Sequence, residues 1–185
     1  MHAYWSSYPD LRSALVLALA VLALSLASCA SRQLAQPSAE MAAPITTGRV
    51  YSLSEVRARI PVMYFGDDSY AEVNSAWLGK WYREYRTQLS RVGIVDWNER
   101  FDCNRFVEFY TGLAQAYYFR ESFHARNPGH ALALGPIWYV RDNGRSRHAL
   151  VQALTERGRV FFDPQNGHEV QLTPTEQASA YLMMF

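Results

Sequence analysis

Hydrophobic positions divide the chain into an apolar leader, a segment without a pattern and a periodic remainder. An apolar run over residues 13–24 follows the charged residue Arg12. Because a bilayer span takes about 20 residues, this shorter run predicts a secretion signal rather than a transmembrane helix. Residues 30–49 mix small and polar residues with prolines and show no period, which is typical of a flexible tether.

Two segments of the remainder have apolar residues at the three- or four-residue spacing of an amphipathic helix. The first covers residues 70–92 and is rich in tryptophan and tyrosine. The second begins at Asp102 or Cys103, since Asp102 is a suitable N-cap, and continues to Tyr118. We therefore predict two helices that bury their aromatic faces, with Cys103 in the first turn of the second helix.

After a loop over residues 121–135, the pattern changes to that of strands and tight turns. A capping box over residues 173–176 then starts a last short helix that runs to Met184. Residues 60–65 are a further possible strand near the start of the domain. The strand-like segments of the C-terminal third are 136–140, 148–155, 159–163 and 168–172. Helices followed by an antiparallel β-sheet predict an α+β domain.

The end of the leader, Leu26-Ala27-Ser28-Cys29, resembles the lipobox of bacterial lipoproteins. In that family the cysteine is acylated and the signal is cleaved before it. The resemblance implies that the chain is attached to a membrane through lipid on Cys29. In such lipoproteins, an Asp directly after the cysteine retains the protein in the inner membrane. This chain has Ala30 at that position. The resemblance therefore implies a location in the cell envelope, on the periplasmic face of the outer membrane. The alternatives are an ordinary signal peptide or a short buried helix.

These predictions give the chain three parts. Residues 1–28 are the lipoprotein signal peptide, residues 29–49 are the lipidated tether, and residues 50–185 are the folded domain. The net charge of +1 provides no electrostatic surface for nucleic acid, so we expect no nucleic-acid partner. With Cys29 acylated, Cys103 is the remaining thiol of the chain. Such a cysteine is an intermolecular partner, a buried inert residue or a reactive thiol.

Cys103, His148 and Asp163 are the residue types of a nucleophile, a general base and an orienting carboxylate. Helix N-terminal amides stabilise a thiolate at the position of Cys103. His148 begins one strand and Asp163 ends the next, so antiparallel pairing brings both to one end of the sheet. A two- or four-residue loop between the strands points both side chains to the same face. A three-residue loop with a bulge at Gly158 does not.

These residues and their surroundings resemble the transglutaminase-like proteins of the papain-like cysteine protease superfamily. The resemblance rests on Cys103 at a helix start, on the strand His-Ala-Leu-Val-Gln-Ala-Leu at 148–154, and on Gly-Arg-Val-Phe-Phe-Asp-Pro-Gln-Asn-Gly at 158–167. It implies a papain-like core and a peptidase, amidase or acyl transferase that acts on a peptide or protein amide in the envelope. It implies no metal and no organic cofactor.

The chain also departs from the family pattern. Leu150 stands where an aromatic residue commonly follows His-Ala, and the side-chain oxyanion donor is not identifiable among Trp97, Asn98 and Asn104. An inactive protein of the same fold that binds a protein or a wall peptide is therefore an alternative. A structural lipoprotein with Cys103 in its core is another, and a zinc site at the three residues is a third. Gln165 and Asn166 are alternatives to Asp163 for orienting the imidazole.

Overall fold

The computed structural model describes residues 44–60, 64–124 and 129–185. The predictions for residues 1–43, including the lipid on Cys29, lie outside these ranges. Within them, no helix is long and apolar enough to cross a membrane. The elements in chain order are β1 (Thr46–Ser52), α1 (Leu53–Arg59), β2 (Ser69–Val73), α2 (Ser75–Arg91), α3 (Cys103–His124), β3 (Ala131–Leu132), β4 (Leu134–Val140), β5 (Arg147–Thr155), β6 (Gly158–Asp163), β7 (His168–Val170), α4 (Pro174–Ala178) and β8 (Leu182–Met183).

The described strands form one mixed sheet with β5 near its centre. β5 pairs antiparallel with β4 and β6, which in turn pair with β8 and β7. β1 and β2 form an antiparallel pair at the other side. β2 joins the rest of the sheet through parallel pairing with β3 and with the end of β5, where Val73 lies opposite Thr155. The first strand begins at Thr46, inside the segment that the sequence pattern assigned to the tether.

The predicted fold class, helices followed by an antiparallel sheet with a papain-like core, is wrong. Two strands precede the long helices, and the sheet contains parallel pairs. Residues 70–73 belong to β2 because all four are buried, which a one-sided helix does not allow. Asn74 then caps α2, since its Oδ1 accepts hydrogen bonds from the amides of Ala76 and Trp77. The apolar residues keep the three- or four-residue spacing of a helix on both sides of this cap. For this reason the sequence pattern did not distinguish strand β2 from the helix that follows it.

The aromatic face predicted for the two long helices is confirmed as core. Trp77 and Trp81 are fully buried and stack with ring centroids 5.2 Å apart. From α3, Tyr117 meets the ring of Trp81 edge-on at 4.9 Å. Tyr110 lies 5.4 Å from the ring of Phe162 on β6. These ring contacts bind both helices to one face of the sheet and fix the start of α3 relative to β5 and β6.

The chain end differs from the predicted long helix. The capping box over residues 173–176 is confirmed, but α4 stops at Ala178. Ser179 then bonds through its hydroxyl to both backbone groups of Val140, and β8 pairs with β4. A Cβ at Gly135 would lie 2.0 Å from the carbonyl oxygen of Met184, so the glycine permits this close approach. The apolar residues near the C-terminus therefore complete the sheet edge rather than a helix.

The turn after β6 packs directly onto α2. Gly167 has φ +82°, and a Cβ there would lie 2.5 Å from a ring carbon of Tyr82. The Gly167 amide donates to the carbonyl of Asp163 at 2.8 Å, and the Tyr82 hydroxyl donates to the carbonyl of Gln165 at 3.4 Å. A glycine is thus required both by the backbone conformation and by the neighbouring ring.

Substituting Gly167→Ala should destabilise the protein more than Gly144→Ala does. Gly144 also has a positive φ, +65°, but a Cβ there meets nothing within 4 Å. We expect Gly144→Ala to cost about 1–2 kcal/mol in the free energy of unfolding, from backbone strain alone. Gly167→Ala should cost a further 1–3 kcal/mol or so, because it also overpacks Tyr82. Denaturant unfolding measures both, and equal losses would contradict the close packing of the turn.

Candidate functional site

Cys103 lies where the sequence placed it, in the first turn of α3. Asp102 caps the helix, since its Oδ1 accepts hydrogen bonds from the amides of Asn104 and Arg105 at 3.1 and 3.3 Å. This confirms the predicted N-cap. The Cys103 side chain is half-buried, and its Sγ lies 3.7 Å from the Oδ1 of Asn104. The cap therefore fixes the helix start and leaves the thiol at the surface of a cleft.

His148 and Asp163 point to the same face of the sheet. Thr155 pairs with Gly158, so the loop between β5 and β6 consists of residues 156–157. For a loop of two residues, both side chains were predicted to point to the same face, and they do. Gly158 takes φ +94° in this tight connection. The Nε2 of His148 lies 3.5 Å from the Oδ2 of Asp163, and both residues are buried, at 8% and 7% exposure. The hairpin thus forms an imidazole–carboxylate pair.

The turn after β6 holds the Asp163 carboxylate from the other side. Its Oδ1 accepts the amide of Gln165 at 2.9 Å, and its Oδ2 accepts the Asn166 side-chain amide at 3.2 Å. Gln165 and Asn166 were alternatives to Asp163 for orienting the imidazole. The structure instead shows both of them orienting Asp163, which itself faces His148. Hydrogen bonds of this kind satisfy a buried carboxylate that would otherwise be costly.

Interactions with its neighbours raise the pKa of His148 above the ordinary value of 6.5. Burial acts to lower this pKa, but hydrogen bonding with Asp163 and with Cys103 outweighs it. The positive charge of Arg141 acts in the lowering direction. The structure therefore brings Cys103, His148 and Asp163 together in one interacting cluster.

The cluster opens into a shallow cleft of about 460 Å³ at the end of the β4–β5 hairpin. Trp97 also lines the cleft and is 56% exposed. The cleft is lined by Trp97, Asp102, Cys103, Arg141, Ser146, Arg147, His148 and Gln165. Sequence reasoning did not single out Arg141, Ser146 and Arg147. The available signal was their place in the turn immediately before His148.

The remaining sequence candidates have other partners. The Oδ1 of Asn98 closes a local turn by accepting the amides of Arg100 and Phe101, both at 3.0 Å. Asn104 faces the thiol of Cys103. Over residues 44–60, 64–124 and 129–185, no group of three or more His, Cys, Asp or Glu residues is arranged to hold a metal ion. The zinc alternative therefore has no support from these residues.

Among known proteins, the chain is similar to some solved structures. No protein-family model matches the chain, and no curated protein matches it. One similar solved structure is the PSL1a–E64 complex, with a TM-score of 0.56, 21% identity and coverage of 74% of this chain and 50% of that one. Another is Polyporus squamosus lectin bound to the human-type influenza-binding epitope Neu5Acα2-6Galβ1-4GlcNAc. Its TM-score is 0.50, its identity is 23%, and the match covers 66% of this chain and 41% of the lectin.

These neighbours correct the family prediction. The second of them is named as a lectin, so the assignment to transglutaminase-like proteins of the papain-like superfamily is wrong, as is the hydrolase or acyl transferase function drawn from it. At these identities the likeness concerns the fold alone. The chain spans about half the length of the first neighbour and about two fifths of the second. The catalytic roles assigned to Cys103, His148 and Asp163 stay a prediction from sequence, and their proximity is the structural finding.

The His148 imidazole should titrate above its ordinary pKa of 6.5. Asp163→Asn should lower this pKa, because burial remains while the carboxylate is lost. The stabilising contribution of the pair should be fully present below about pH 6.5 and lost as the pH rises through the folded-state pKa. NMR titration of the imidazole in the two proteins measures the shift. Asp142→Asn removes a carboxylate that makes no ion pair with His148 and serves as the control; an unchanged pKa in Asp163→Asn would contradict the pairing.

Proposed function

We propose that this domain binds carbohydrate in the cleft beside His148. The observation that carries the proposal is the combination of an exposed indole, Trp97, with a polar floor at the end of the β4–β5 hairpin. The floor contains the half-buried thiol of Cys103 and the buried imidazole of His148, which Asp163 orients. Of the three residues selected from sequence, Cys103 and His148 thus serve here as binding groups, and Asp163 positions the imidazole.

The physical character of the cleft suits a sugar. A pyranose ring presents a face of C–H groups that packs on an aromatic ring, and a rim of hydroxyls that exchange hydrogen bonds. Trp97 supplies exposed aromatic surface, and Ser146, His148 and Gln165 supply groups able to donate or accept. The cleft is open to solvent, so one sugar unit in the middle of an extended glycan can bind there while the rest of the glycan stays outside. Precisely placed polar groups of this kind set specificity in ligand sites.

One of the structural neighbours supports the same class of ligand. Polyporus squamosus lectin was solved with a sialylated trisaccharide, as the name of its complex states. Because this chain covers only part of that lectin, the neighbour supports carbohydrate as a ligand class and the cleft itself supports the location. The predicted lipid on Cys29 would hold the domain at the cell envelope, and we propose that a glycan of the envelope is the ligand.

Removing the indole should weaken glycan binding with little effect on folding. We expect Trp97→Ala to lower the affinity for a bound oligosaccharide at least about tenfold, since truncating an aromatic anchor typically costs more than 1 kcal/mol. The free energy of unfolding should change by less than about 0.5 kcal/mol, because the side chain is largely exposed. A glycan array identifies the ligand, and calorimetric titration measures the affinity.

Tyr64→Ala provides a matched control. Tyr64 is 59% exposed, close to the 56% of Trp97, but it does not line the cleft. Its loss should leave glycan affinity unchanged. Failure of the full chain to bind any glycan, or equal effects of the two substitutions, would contradict carbohydrate binding at this cleft.

A further inference from the structure

The side chains that line the cleft carry more positive than negative charge. Two arginines, Arg141 and Arg147, line it, against one carboxylate, Asp102. The Oδ1 of that carboxylate accepts the amides of Asn104 and Arg105 at the start of α3. His148 adds further positive character when it is protonated. The lining therefore has an excess of positive charge, which a carboxylate on the ligand would balance.

Arg141 lines the cleft together with His148. Its positive charge acts to lower the pKa of Tyr139 and that of His148. The ring of Tyr139 in turn lies 6.0 Å from the His148 ring. The Arg147 guanidinium, by contrast, lies over the ring of Tyr181 at 5.4 Å. Of the two lining arginines, Arg147 thus has an aromatic partner, and Arg141 is the one whose charge acts on the imidazole.

The acidic side chains of Asp142 on the hairpin and Glu176 on α4 accept other hydrogen bonds. Glu176 accepts hydrogen bonds from the amides of Thr173 and Asp142. Asp142 accepts the hydroxyl of Thr173 at 3.0 Å. Arg141 makes no ion pair with any carboxylate in the part of the chain that the structure describes. Arg141 is exposed and lines the cleft, so its donors are accessible from the cleft.

We infer that the cleft selects saccharides that carry a carboxylate, and that the Arg141 guanidinium is the group that binds this carboxylate. The planar guanidinium matches a carboxylate with two parallel hydrogen bonds, a geometry that an ammonium group does not reproduce. The inference rests on the proposed carbohydrate binding and adds the ligand's charge and its protein partner. Trp97 lines the same cleft and offers exposed aromatic surface to the sugar ring.

The experiment compares matched oligosaccharides that differ only in one carboxylate. The full chain, kept in detergent solution, is titrated with a uronic-acid oligosaccharide and with the same compound reduced to the neutral hexose. We expect the carboxylated compound to bind about tenfold more tightly, the range of a charged hydrogen bond. Arg141→Gln should abolish this preference, and Arg141→Lys should restore it only in part, because the charge returns without the planar fork.

Arg145→Gln is the matched control, since Arg145 is exposed in the same turn but does not line the cleft. It should keep the preference of the unmodified chain. Equal affinity for the two compounds would overturn the carboxylate inference and leave carbohydrate binding standing. A preference that persists in Arg141→Gln would overturn the role of Arg141. Binding of neither compound, nor of any glycan, would overturn the proposed function and the inference together.

Discussion

Antiparallel pairing between β5 and β6 across a two-residue loop determines where the polar residues of the cleft lie. With Thr155 opposite Gly158, His148 and Asp163 reach the same end and the same face of the sheet. One additional loop residue without a compensating bulge would turn one of them to the opposite face. The aromatic core then fixes α3 against these strands, so that Cys103 arrives beside His148. Register and ring packing together form the cluster.

The cluster also has an energetic requirement. Burying an imidazole and a carboxylate is unfavourable unless each finds partners. Asp163 obtains them from Gln165 and Asn166, and His148 obtains them from Asp163 and Cys103. The turn that supplies two of these partners packs on Tyr82 through Gly167. The polar floor of the cleft is therefore supported by the same helix that carries the buried tryptophans.

Much of the local structure could be predicted from the sequence, because its signals act over a few residues. The Asp102 cap, the tight β5–β6 turn and the capping box at residues 173–176 depend on neighbouring groups, and the structure contains all three. β2 and β8 were missed because they depend on distant partners on β5 and β4. The three cluster residues were found by their chemistry. Arg141 was not, since only the folded chain shows that this turn residue lines the cleft with His148.

The most direct test of carbohydrate binding at this cleft is to map the bound ligand by NMR on the isotope-labelled chain. Adding a glycan that the protein binds should shift the Trp97 indole and the His148 imidazole resonances first, in proportion to saturation. Shifts confined to a different surface, such as the groove lined by Phe119 and His130, would contradict the assignment of the site. The absence of shifts with every glycan tested would contradict carbohydrate binding itself.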